Sequence, residues 1–452
     1  MKLLFFPLIC VLLAAFLKAI YSLKKRDALL TPILAWLVGL GFFLLAPLTI
    51  IVLNNGYQAP NFYDVDSRHA DVNLSLLESI PPFFMIWSAL FLSFVTVILF
   101  LPKLDKGWQR REVFLNDGAL KRAIYLSVGL MVLDWVITVY LVGGVAEFLV
   151  SHWYLRADDM STRLGSGYVL YTWLSQANQI VFTAAAVLFT HSQARKGAVN
   201  WKFSAFLVLV FLFQVVFSGN RIFLALYLVS LVVSCWLYGR RKMVIALVLS
   251  APAFALIFSA WSYLRAAPAE IAERSEVYRD SDLGNRTVTV LMDSFDGSDT
   301  VLLFHIINDF GDKFSYLYGS TYLRAVSFVI PRSIYPEKAQ DFTIQLAEKY
   351  EPGSTTSLAA TQLGELFANF GPLSVLLLPL FTLMIMYASE THIKWLINRT
   401  LTSSVFFVLI IWAVRSTFED NFITFLAALA IIRALRLEGS PQSTNGGLVP
   451  KS

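Results

Sequence analysis

Long apolar stretches recur from one end of the chain to the other, separated by short polar segments. A membrane-crossing helix needs roughly 20 mostly apolar residues. The pattern predicts helices near 3–21, 28–53, 80–101, 123–143, 168–190, 203–218, 222–239, 243–264, 370–389, 401–416 and 423–436. A transmembrane β-barrel would show short segments of alternating hydrophobicity instead. The expected fold class is therefore an all-α polytopic membrane protein with about 11 transmembrane helices. Residues 1–264 would hold the first eight spans, 265–369 a large loop, 370–436 the last three spans, and 437–452 a tail of low apolar content expected to be disordered.

Charge sets the expected orientation. Short loops on one side carry seventeen basic residues, among them Lys24, Lys25, Arg26, Arg110, Arg111, Arg240 and Arg241, against Arg68, Arg156, Arg163 and Arg221 opposite. The positive-inside rule places the richer set in the cytoplasm, hence the N-terminus outside and the C-terminus inside. Loop 265–369 then lies on the outer side. It holds nine Lys/Arg and fifteen Asp/Glu, with moderately apolar pieces at 300–310 and 321–330. The former suits a short amphipathic helix near the interface. The loop as a whole is expected to form a small helical subdomain capping the outer face. The N-terminal MKLLFFPLICVLLAAFLKAIY is long for a signal peptide, and no small-x-small site precedes its basic cluster, so it reads as a retained helix.

Composition agrees with this picture. A mean hydropathy of +0.64 is too high for a soluble globular chain. The formal charge of +5 is explained by the loops and implies no nucleic-acid partner. Cys10 and Cys235 sit in apolar runs and read as small core hydrophobes.

Ionised groups at the membrane boundary carry the candidate chemistry. Arg221 follows Ser-Gly-Asn between two spans, Arg265 ends the eighth, Arg332 lies in the Pro-flanked turn IPRSIYPEK, and Arg415 sits at the outer end of the tenth. All four fall on the predicted outer side. A guanidinium fork binds phosphate bidentately, which suits a diphosphate on a lipid carrier, although snorkelling to the interface also accounts for such positions. Glu365, Glu419, Asp420 and Asp293 stand near them in the sequence. A carboxylate beside a sugar hydroxyl can act as general base. Equally, Glu419 can pair with Arg415 four residues earlier on a helix, and Glu365 can favour the start of its own helix. Tyr57, Tyr63, Trp153, Tyr154, Tyr316, Tyr318 and Tyr322 lie in outer segments, as sugar-stacking platforms or as an aromatic belt. His305 reads as structural or interfacial. No HExxH, Gly-x-Ser-x-Gly, clustered Cys/His or Walker-type loop occurs, so neither a metal nor ATP is implied. Asp134, in LMVLDWVITVY, is the clearest mid-span charge.

Five segments, in order across about 219–422, resemble the Wzy-type O-antigen and oligosaccharide repeat-unit polymerases. They are SGNR ending at Arg221, DSFDGSDTVLLFHIIND, IPRSIYPEK, TQLGELFANFGPLSVLLLPL and VRSTFEDNF. The resemblance implies a GT-C-like fold and metal-independent glycosyl transfer without a cofactor. The substrates would be undecaprenyl-diphosphate-linked glycans, handled among membrane lipids, with a chain-length regulator as protein partner. The site would face the periplasm from the bacterial inner membrane. In that setting Arg221, Arg265, Arg332 and Arg415 would bind the diphosphate. Asp420, Glu365 or Asp293 would take the acceptor's proton, and Glu419, Tyr335 and Lys338 would support. Two alternatives are an O-antigen ligase and a lipid-linked glycan flippase or transporter. The lack of a His-rich motif around His305 favours polymerase over ligase.

The topology has a direct expectation. A cysteine in the 265–369 loop, for instance at position 300, should react with a membrane-impermeant reagent added from the periplasmic side; labelling only after cytoplasmic access would overturn the orientation.

Overall fold

A computed structural model describes residues 2–25, 32–53, 80–101, 117–145, 297–327, 334–350, 360–391 and 409–434, with single positions at 174, 177, 178, 181, 182, 185, 232, 245, 330 and 358. The expected span at 203–218, all but single positions of 222–239 and 243–264, nearly all of 168–190, and the first part of 401–416 lie outside the described residues. Among those described, the chain is helical, with no strand beyond an isolated Phe310–Phe314 bridge. The helices are α1 (Lys2–Lys25), α2 (Pro32–Leu40), α3 (Ala46–Leu53), α4 (Ile80–Phe100), α5 (Asp117–Val142), α6 (Gly297–Asp309), α7 (Ser320–Val326), α8 (Phe342–Tyr350), α9 (Gln362–Phe370), α10 (Ser374–Thr391) and α11 (Phe418–Ala434). Four stretches, Phe5–Leu23, Pro32–Leu53, Ile80–Phe100 and Gln362–Tyr387, are long and apolar enough to cross a membrane. The chain is thus a helical protein with membrane-spanning character.

Helix α4 is the hub. It packs against α1, α10 and α6, and its Phe83, Ile86, Leu90 and Phe94 are buried. Because lipid is as apolar as a leucine side chain, helix association in a membrane relies on packing, small residues and hydrogen bonds across helices. All three occur here. Trp87 Nε1 donates to the Leu8 carbonyl at 2.8 Å, joining α4 to α1. Trp36 Nε1 donates to Thr382 Oγ1 at 2.9 Å, joining α2 to α10. Gly39 lets α2 approach the segment at 409–415, where an added Cβ would lie 2.6 Å from Val414 Cγ2 and 2.7 Å from the Ile411 carbonyl.

The link between α2 and α3 is a π-helical turn, Gly41–Leu45, followed by Pro47. Proline has no N–H for the carbonyl one turn earlier, that of Phe43. Thr300 supplies a donor instead, its Oγ1 giving a hydrogen bond of 2.9 Å to the Phe43 oxygen. The Phe43 ring also meets Trp412 edge-on, with centroids 5.8 Å apart.

The apolar piece of the large loop around 300–310 is a helix, α6, and its apolar side chains pack into the bundle. Val301, Leu303, Phe304, Ile306 and Ile307 are all buried, and α6 packs into the bundle against α4, α9 and the π-turn. Its part-buried positions, Leu302, His305 and Asn308, share one narrow face. Thr300 is buried as well, so an accessible cysteine label belongs at Asp312 or Glu337, which are exposed. Cys10 also departs from expectation: it lies on the exposed face of α1, not in the core.

Helix α9 ends at Gly371, whose φ of +59° is a left-handed conformation and whose Cα lies against the Tyr316 ring. A short 3-10 turn, Gly371–Leu373, then leads into α10. The amphipathic helix α9 is thereby joined through one short turn to the apolar α10.

Gly39→Ala should lower the thermal unfolding midpoint in detergent, overpacking of this kind costing about 1–3 kcal/mol. Gly129→Ala, where an added Cβ meets nothing within 4 Å, should not lower it.

Candidate functional site

The polar residues singled out in the sequence gather where α7, α9 and α11 meet. Helix α9 is amphipathic but buried almost throughout, so its polar positions must find partners inside the protein. Glu365 shows how. Its side chain is fully buried. Oε1 accepts a 2.6 Å hydrogen bond from Thr321 Oγ1 on α7, and Oε2 accepts one of 2.6 Å from the backbone N–H of Phe418, the first residue of α11. The carboxyl group therefore satisfies an N–H that opens another helix, a place where the macrodipole favours negative charge.

Asn369 extends the junction. Its Nδ2 donates to Thr321 Oγ1 at 2.9 Å and to the Glu365 carbonyl at 2.8 Å, while Oδ1 accepts from the Gly319 N–H at 3.0 Å. Gln362 donates to the Tyr322 hydroxyl at 3.1 Å and accepts from Asn421 at 3.4 Å. Tyr322 packs on Phe418 and Phe370. Burial, reinforced by the nearby Glu365, holds its hydroxyl well above the usual tyrosine range, so it stays protonated.

Beside this polar core lies a cluster of charge. Arg324, on α7, donates through Nε to Glu419 Oε2 and through Nη1 to the Ala339 carbonyl at 2.8 Å. Its Nη2 has no hydrogen bond among the described residues. Glu419 is buried, which pushes its carboxyl up, while Arg324 pulls it back down. Asp420, part-buried in the first turn of α11 and ahead of the apolar stretch predicted at 423–436, is pushed up to about 7 by burial, with Asp341 and Glu419 adding repulsion and Thr417 and Arg324 opposing it. Asp341 is itself held at the start of α8, where its Oδ1 accepts from the Thr343 N–H at 2.8 Å and from the Thr343 hydroxyl at 2.6 Å.

Of the residues expected from sequence, Arg221, Arg265, Arg332 and Asp293 lie outside the described residues. Glu365, Glu419 and Asp420 come together at the junction. Arg415 does not pair with Glu419. Its Nε donates to Asp299 Oδ2 at 2.8 Å, and its guanidinium lies over Trp412 at 4.8 Å. The pairing differs because α11 begins only at Phe418, after a turn at 414–417, so Arg415 and Glu419 are not one helical turn apart. Tyr335 and Lys338 bracket a turn in which the Lys338 N–H donates to the Tyr335 carbonyl at 3.2 Å. Pro336 takes the second position, where its fixed φ is favourable. Lys338 Nζ reaches the Ile330 carbonyl at 3.5 Å and contributes positive charge felt by Glu419.

Sequence reasoning missed Arg324, Thr321 and Asp299. Asn369 stands in the Gly-Glu-x-x-x-Asn run, four residues after Glu365, a spacing that puts both on one helix face. Arg324 carries no comparable signal, since its partner lies 95 positions away. A scan against protein-family models and searches of curated proteins and solved structures found no match.

Glu365→Gln should destabilise the protein by about 1–3 kcal/mol, because an amide offers one acceptor oxygen where the carboxyl offers two and leaves a buried donor unpaired. A lower unfolding midpoint by intrinsic fluorescence checks it; an unchanged midpoint would show that the junction does not depend on the carboxyl.

Proposed function

We propose that the chain is a polytopic inner-membrane glycosyltransferase of the repeat-unit polymerase kind, with about 11 spans, a GT-C-like arrangement and its site facing the periplasm. Its substrates are undecaprenyl-diphosphate-linked oligosaccharides. The observation that carries the reading is the juxtaposition of Arg324, Glu419 and Asp420: an anchored guanidinium beside a carboxyl poised near neutrality. Lipid-diphosphate glycosyl transfer asks for these two functions; Glu419 and Asp420 lie in VRSTFEDNF, one of the segments that resemble the polymerases, while Arg324 lies between two of them.

In this reading a hydroxyl at the non-reducing end of one lipid-linked repeat unit attacks the anomeric carbon of the growing chain. Asp420 accepts the hydroxyl proton, and undecaprenyl diphosphate leaves. Negative charge grows on the phosphate oxygens as the bond breaks, and preorganised donors speed the step because they hold that charge more tightly in the transition state. Arg324 joins Arg221, Arg265 and Arg332 as candidate donors. Arg415 is engaged by Asp299 and Trp412 and braces the bundle. Asp420 is favoured over Glu365 as base, because both Glu365 oxygens already accept hydrogen bonds in a fully buried setting.

Asp420→Asn should lower turnover by about 10²–10⁴ while lipid-linked donor still binds. In cells the polymer ladder should collapse to a lipid A core bearing one repeat unit. A general base must be deprotonated, so wild-type turnover should fall as the pH drops through about 7. Arg324→Lys keeps the charge but loses the fork, and should also shorten the ladder. Polymer retained on undecaprenyl diphosphate would indicate a ligase, and loss of all surface glycan a flippase. Normal ladders from both variants would reject the site.

A further inference from the structure

The apolar part of α5, Ile124–Tyr140, contains Asp134 at its centre. The side chain is 9 % exposed and faces Asn178, which is 1 % exposed. Asn178 Nδ2 donates to Asp134 Oδ2 at 3.2 Å. The other oxygen of each group, Asp134 Oδ1 and Asn178 Oδ1, is buried and has no hydrogen-bond partner among the described residues. Among the described residues no basic side chain pairs with the carboxylate. The described neighbours of Asn178 on its own segment are Leu174, Ala177, Val181, Phe182 and Ala185, none of them titratable. The other charged residues of α5 with described side chains, Lys121 and Arg122, are exposed and stand about three turns away.

When an ionised carboxylate faces a primary amide, only one of the two amide N–H groups points across the pair, so one donor serves three oxygens. Turning the amide over changes which oxygen is orphaned but not the shortfall. One added proton removes it. A carboxylic acid and a primary amide form a closed ring of two hydrogen bonds, the amide N–H to one carboxyl oxygen and the acid O–H to the amide oxygen.

We propose that Asp134 and Asn178 form a proton-binding site within the membrane part of the protein, holding one proton between Asp134 Oδ1 and Asn178 Oδ1. Bound, the proton closes a two-bond clamp between α5 and the segment carrying Asn178; released, it leaves one bond and an unsolvated charge. The site is separate from the junction of α7, α9 and α11 and stands whether or not the polymerase reading holds.

Infrared difference spectroscopy on the full chain in lipid nanodiscs tests it. Wild type minus Asp134→Asn at pH 5 should show the carbonyl stretch of a protonated carboxylic acid, shifted down in D₂O. Asp134→Asn should fold normally, because an amide at 134 makes the same reciprocal ring with Asn178. Asn178→Leu should move the acid band to higher frequency as its hydrogen bond is lost. A difference spectrum showing only ionised carboxylate stretches would overturn the proposal. So would a sodium-dependent rise in thermal stability that Asp134→Asn abolishes, with no acid band, since the two oxygens would then serve a metal cation. If Asn178→Leu fails to fold, the Asp134→Asn comparison still decides.

Discussion

The Glu365 carboxyl group joins three helices that are far apart in the chain. It accepts from a side chain on α7 and from the first backbone N–H of α11 while being carried by α9. A buried carboxyl has no water to fall back on, so its partners must be held in place. Asn369 ties the same threonine back to α9 and reaches the turn at Gly319, so two side chains of one helix organise the start of α7 and the start of α11. The charged cluster depends on this. Arg324 meets Glu419 because α7 and α11 have already been brought side by side.

The membrane sets the second constraint. Within hydrocarbon, every backbone polar group must be satisfied by the protein itself. Pro47 breaks that rule locally, and Thr300, from a distant helix, answers the exposed carbonyl. The bond does more than repair a defect: it pulls α6, part of a polar loop by composition, into contact with an apolar span. Tryptophan donors to Thr382 and to the Leu8 carbonyl work in the same way between spans. Each contact couples a helix in the first hundred residues to another element.

Charges at the junction are arranged as a mixed cluster, not as a patch of one sign. Three carboxylates, Asp341, Glu419 and Asp420, surround Arg324, with Lys338 adding positive potential. Burial and repulsion push the Asp420 carboxyl up to about 7. Anchoring Arg324 at Nε and Nη1 removes conformational freedom, so a ligand at Nη2 would lose less entropy on binding.

The helices and much of the candidate chemistry were legible in the chain itself. Apolar run length is a local property, and it marked α1, the α2–α3 span, α4, α5 and α10 close to their observed bounds. The polar positions Glu365, Glu419 and Asp420 stood out for the same reason, being costly where they are. Pairing was another matter. Arg415 and Glu419 are four residues apart and looked like partners, yet a turn at 414–417 separates them and each finds a distant counter-ion instead. The burial of α6 was equally hidden, since its amphipathic pattern is compatible with lying on a membrane or fitting into a bundle. Arg324 had no local mark at all. Ion pairs and helix burial depend on which surfaces meet, and that was decided only when Glu365, Thr300 and Gly39 brought separate segments of the chain within bonding distance.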